Sequence, residues 1–167
     1  PVKSFRSQLE FIRNRMDIMR NDPTTPDTRL ADWGLDICNP INANELVRLI
    51  MGGNLTFRIW SLHARVRYFD PEKGRAGLPD DVAAIVTRME EGKTYITLVN
   101  INPVESRSLY VQTGAYGEHE CLSVKAGDKE FPVNNRYFKV DLKPGTGSDL
   151  VISVKRYANQ PTLDFPW

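Results

Sequence analysis

Cysteine and histidine are scarce in this chain, two of each among 167 residues, and that scarcity removes most metal and thiol chemistry at the outset. Cys38 and Cys121 lie far apart, and neither stands in a CxxC or CxxH spacing, so zinc-ribbon and thioredoxin-type readings lack their ligands. The two thiols either stay free and buried, as isolated cysteines commonly do, or pair in an oxidising compartment. Charge of one sign is lacking too. Lys and Arg number 22 against 21 Asp and Glu, a formal net charge of +1, without the basic face of a duplex nucleic-acid binder. No apolar run approaches the ~20 residues that span a bilayer. The opening Pro1-Val2-Lys3-Ser4-Phe5 leads into an amphipathic stretch, not the apolar segment of a signal peptide. Gly52-Gly53 follows a predicted helix instead of opening one, and no Walker, GxSxG or HExxH pattern occurs. The expectation is a chain with no cofactor, no metal, no nucleic-acid partner and no catalytic residue of its own.

What is present falls into two grammars. Residues 1–53 are helical and irregular. Phe5, Leu9, Ile12, Met16 and Met19 recur at steps of three and four, one apolar stripe on a helix. Ser4 is its expected N-cap, and Asn21-Asp22-Pro23 its end. A polar loop over residues 24–39 follows, then Asn42 and Glu45 approximate a capping box that opens a short helix ending at Gly52-Gly53. The stripe has no second long helix to pack on. It must therefore lie across the rest of the chain or belong against a partner.

Residues 54–167 read as β, with the paired strands running from about Leu55 to Tyr157. Leu62, Ala64, Val66 and Tyr68 alternate with His63, Arg65 and Arg67, the period of a half-buried strand. Residues 82–89 are ambiguous between helix and strand, with a strand near Ile85 favoured. Residues 95–101 are apolar on both faces and predict a central strand. Further strands are expected over residues 108–112, 119–125, 137–142 and 150–154, joined by short Gly- and Pro-rich turns. Short strands at such intervals predict an antiparallel β-sandwich, Greek-key or immunoglobulin-like, behind a helical connector. The tail after Asn159 is expected to lie on the body without pairing.

Few residues carry recognisable chemistry. On a strand, Glu118 and Glu120 would share one face and His119 the other, so a metal site with His63 has less support than ordinary cross-strand pairing. His63, Arg65 and Arg67 form a short cationic row suited to a carboxylate or sulfate, although such rows more often protect an edge strand. Trp33, Trp60, Trp167, Tyr110, Tyr116 and Tyr137 are the pool for an aromatic binding surface, with Trp60 assigned to the core. Asp80-Asp81 and Glu90-Glu91 fall at predicted turns, where acids are solvated. Asn54-Leu55-Thr56 fits a glycosylation sequon.

Three segments carry a family likeness: Leu98-Val99-Asn100-Ile101-Asn102-Pro103, Gly114-Ala115-Tyr116-Gly117-Glu118-His119, and Val140-Asp141-Leu142-Lys143-Pro144-Gly145 leading to Leu150-Val151-Ile152. Together they resemble the C-terminal β-sandwich appended to large, mostly uncharacterised bacterial carbohydrate-active enzymes. The resemblance implies a non-catalytic accessory domain that packs on or orients a larger catalytic domain, with residues 1–53 as connector or the end of the preceding domain. It also tilts the expected compartment toward a secreted or periplasmic one. Phe5, Leu9, Ile12 and Met16 are then the expected docking residues for that domain or subunit. Two alternatives stand beside it. One is a free-standing glycan- or anion-binding module using His63, Arg65, Arg67 and Tyr116; the other is a scaffold subunit docking through its first helix.

Overall fold

A computed structural model describes residues 2–29, 39–53 and 63–167. The chain divides into two compact units, Pro1–Leu46 and Val47–Trp167.

The first unit is built on α1 (Val2–Arg20), followed by the single turn α2 (Pro26–Arg29) and the start of α3 (Asn44–Met51). No Gly or Pro interrupts α1, and Arg20 in its last turn complements the helix dipole. The helix begins before Ser4, which is not its N-cap. The Ser4 hydroxyl instead donates to Glu45 Oε2 at 2.8 Å. The expected capping box is also replaced. Asn42 Oδ1 accepts from the Asn44 N–H, and the Glu45 N–H goes to Gln8 Oε1 at 3.2 Å. Gln8 supplies a cap from another helix, a long-range bond that local spacing cannot reveal. The segment expected to be wholly loop contains α2, and its residues 30–38, with Trp33 and Cys38, lie outside the described residues.

The second unit is a β-sandwich. Among the described residues its strands are β1 (Val66–Asp70), β2 (Arg75–Ala76), β3 (Val82–Glu90), β4 (Lys93–Asn100), β5 (Arg107–Thr113), β6 (Glu120–Ala126), β7 (Lys129–Asn135), β8 (Tyr137–Leu142) and β9 (Gly147–Lys155). Every pairing is antiparallel. One sheet runs β2-β1-β5-β8, the other β3-β4-β9-β6-β7. Alternation decides which side chains turn inward. Val66, Leu109 and Val111 of the first sheet, and Ile96, Leu98 and Ile152 of the second, are all at most 1% exposed and share one core. Cys121 is a free thiol in that core, where burial pushes its pKa up to about 12.

Two strand expectations are revised, and the favoured strand near Ile85 is found. The first strand starts at Val66, so His63 and Arg65 precede it; residues 54–62, including Trp60 and the sequon, lie outside the described residues. The ambiguous segment at Val82 is a nine-residue strand. A strand was missed at β7, whose Pro132 argues against a ladder position; β7 is an edge strand, where a residue without an N–H is tolerated.

Two of the family-like segments meet at one end of the sandwich. Asn100, fully buried at the end of β4, donates through Nδ2 to the carbonyls of Glu105 (2.8 Å), Leu142 (3.4 Å) and Lys143 (3.2 Å). Its Oδ1 accepts from the Asn102 N–H, and Gly145 N–H closes onto Asn102 O at 2.8 Å. One amide thus ties β4 of one sheet to the end of β8 in the other.

On the outer face of the first sheet, the C-terminal tail folds back without adding a strand. Phe165 and Trp167 sit edge-on to Phe69, with centroids 5.5 and 6.3 Å away, which leaves Phe69 1% exposed on a face opposite the core.

Asn100→Ala removes the donor and strands the buried Leu142 carbonyl. We expect a loss of about 1–3 kcal/mol in urea unfolding with an unchanged m-value. A loss below roughly 0.5 kcal/mol, the size of an ordinary surface change, would contradict this role.

Candidate functional site

The register of β6 against β9 places Glu120 opposite Lys155. The residues just beyond that pair, His119 and Arg156, therefore emerge side by side at one end of the sheet. The chain entering β1 arrives beside them: the Arg65 N–H donates to Met51 O, and Arg65 O accepts from the Gly114 N–H, both at 2.9 Å. Arg65 is thereby fixed between the end of α3 and the end of β5. A cavity of about 200 Å³ opens here, lined by Gly52, Gly53, His63, Ala64, Arg65, Glu118, His119, Arg156 and Tyr157.

Two glycines make the approach possible. Gly52 ends α3 in the left-handed region at φ 66°, its N–H bonded to Arg48 O at 2.8 Å. A Cβ on Gly53 would fall 1.6 Å from the His63 carbonyl oxygen, so only glycine permits that crossing.

His119 is the most constrained group in the cavity. It is 6% exposed, and its carbonyl accepts from Thr113 Oγ1 at 2.7 Å and Asn159 Nδ2 at 3.0 Å. Its Nδ1 accepts from the Tyr157 N–H at 3.1 Å. A backbone N–H is an obligatory donor, so Nδ1 carries the lone pair and the neutral ring holds its proton on Nε2. Tyr157 occupies the left-handed region at φ 53°, unusual for an aromatic residue, and its ring meets the imidazole edge-on at 4.9 Å. Burial is the main force lowering the His119 pKa; the Glu118 carboxylate and backbone act upward, and Arg156 and Arg65 downward.

Glu118 Oε1 lies 3.9 Å from His119 Nε2, beyond hydrogen-bond reach, while Oε2 accepts from the Tyr116 N–H at 2.8 Å. With its lone pair engaged, His119 offers a hydrogen-bond donor and no vacant base. The arrangement can hold a ligand through donors.

The cationic row foreseen on one strand face is split. His63 and Arg65 line the cavity, whereas Arg67 stacks over the Phe69 ring at 5.2 Å on the outer sheet face. Tyr116 is not part of the lining; its carbonyl accepts from the Thr162 N–H of the tail. The Glu118-His119-Glu120 triplet does not alternate on a strand as expected, because β6 begins only at Glu120. No group of three metal-ligating side chains forms among the described residues. Of the aromatic pool, Trp167, Tyr110 and Tyr137 gather around Phe69. Arg156 and Tyr157 were not foreseen. Nothing in their local sequence marks them, since their placement follows from the β6–β9 register and a positive φ. On α1, Phe5, Leu9 and Met16 are exposed and Ile12 is half-buried.

Compared with known proteins, the chain matches no family model, no curated protein and no solved structure.

The lowered pKa of His119 predicts a pH signature. Below about 6.5, the ordinary imidazole value, the unfolded chain takes up a proton that the native ring resists. This stability is therefore complete above that pH and is lost as pH falls through the folded value. Urea midpoints measured from about pH 7.5 down to about pH 5 should fall, and His119→Gln should flatten the dependence. An equal slope in both proteins would contradict the assignment.

Proposed function

We propose that this chain is a non-catalytic accessory module, a β-sandwich that packs on or orients a larger catalytic domain and uses α1 as its docking element. The observation that carries this reading is the surface of α1. Phe5, Leu9, Phe11, Met16, Ile18 and Met19 are each between 36% and 51% exposed, while the one buried side chain of the helix is the polar Gln8. A helix with that much apolar surface ordinarily buries it, and clustered exposed apolar residues mark interaction surfaces. The alternating pattern that buries Val66 or Leu98 in the sandwich has no counterpart here.

The His119 geometry supports the non-catalytic part of the reading, because its basic nitrogen is already engaged. The family-like segments support it as well. Asn100, Asn102 and Leu142 hold the two sheets together, the work of a scaffold. A glycan-active enzyme as the larger partner follows from the resemblance of those segments to appended sandwiches.

The test pairs two measurements on the folded chain. It should turn over none of a panel of nitrophenyl glycosides. It should also enhance the fluorescence of an apolar dye, a response that Leu9→Asp with Met16→Asp removes while leaving the thermal midpoint of the sandwich in place. Turnover of a glycoside, or a dye response indifferent to the double substitution, would contradict the proposal.

A further inference from the structure

We propose that the cavity beside His119 is a binding site for a small hydroxycarboxylate, its carboxylate held by Arg65 and Arg156 and its hydroxyl by Glu118. This stands apart from the accessory role, since the cavity belongs to the sandwich unit and α1 to the other.

The first ground is an unusual arginine. Arg65 is half-buried, yet its guanidinium makes no hydrogen bond or ion pair among the described residues. Other partly buried arginines of the sandwich are answered: Arg107 by Asp81 and Glu105, both at 2.6 Å, Arg75 by Asp80 at 2.9 Å, Arg136 by the Gln160 carbonyl at 3.3 Å, and Arg67 by the face of the Phe69 ring at 5.2 Å. A cation withdrawn from water without a counter-charge is unfavourable, and a planar guanidinium matches a carboxylate in two-pronged geometry.

The second ground is the balance of groups. Two guanidiniums face one carboxylate in the lining, which leaves room for one negative charge and not two. A phosphate dianion would also meet Glu118 directly. Oε1 of Glu118, whose Oε2 is held by the Tyr116 N–H, is an acceptor suited to a ligand hydroxyl. His119 adds a fixed Nε2–H donor. A volume of about 200 Å³ is room for roughly six or seven waters at ~30 Å³ each, smaller than the ~300–1,000 Å³ of drug-sized sites. A small acid fits that space, up to a single acidic sugar.

The experiment is a nuclear magnetic resonance titration of the whole chain with lactate, D-glucuronate, acetate, inorganic phosphate and methyl glucoside, reading the Tyr157 and Gly52 amides and the Arg65 Nε–H. Saturable shifts are expected with lactate or glucuronate, weaker ones with acetate and phosphate, and none with methyl glucoside. Arg65→Gln and Arg156→Gln, each shown folded by its spectrum, should weaken binding about tenfold, as loss of a charge-assisted contact implies. If Arg65→Gln does not fold, Arg156→Gln carries the same expectation, because Arg156 is exposed. Absence of saturable shifts with both hydroxy acids would overturn the proposal. So would phosphate or methyl glucoside binding as tightly, or affinity unchanged by the substitutions.

Discussion

The sandwich rests on the burial of two apolar faces against each other, and everything else in the second unit is arranged around keeping that interface dry. Leu98, Leu109, Val66, Val111 and Ile152 are fully buried, and side chains of that size each contribute roughly 1.5–3 kcal/mol on leaving water. Such a layer has ends as well as faces, and at the ends backbone carbonyls must find donors away from solvent. Asn100 meets that need at one end: from β4 its one amide answers the Leu142 carbonyl at the end of β8 in the other sheet and the carbonyls of Glu105 and Lys143 in the adjoining loops. An apolar residue there would fill the space and leave the carbonyls stranded. The choice of asparagine at the end of an otherwise apolar strand follows from that constraint.

The cavity lies where α3 meets β1, beside the ends of β6 and β9. Its groups arrive from four places in the sequence, brought together by the β6–β9 register, the Gly52-Gly53 turn and the left-handed Tyr157. His119 is oriented by backbone and by Asn159 and Thr113, so its donor is set before any ligand arrives. That preorganisation is what distinguishes this concave surface from a chance grouping of surface charges. The outer aromatic cluster follows a different logic. Phe165 and Trp167 cover Phe69 and extend the apolar packing beyond the core.

Much of the sandwich was legible because a period of two leaves a plain mark. Residues 137–142 alternate in sequence, residues 95–101 are apolar on both faces as a central strand is, and the turns between strands carry their Gly and Pro. The pattern failed where a local rule had a tertiary exception. Pro132 hid β7, because only its edge position makes the proline acceptable. Ser4 and Asn42 resemble caps, but the bonds they suggest are made by Gln8 and Glu45 across two helices. Arg65 and His63 could be singled out as cationic. That Arg67 parts from them follows from where β1 begins, which alternation alone does not reveal. Arg156 and Tyr157 carry no signal in sequence, since a register and a backbone angle place them.

If burial between the sheets is what makes this unit, its central strands should open only when the whole sandwich unfolds. Native-state hydrogen exchange on the chain tests this directly. The amides of Ile96, Leu98, Val111 and Ile152 should exchange last and with one common free energy equal to that of global unfolding, and those of α1 far sooner. Separate opening energies for the two sheets, or α1 amides as slow as those of β4 and β9, would contradict the account.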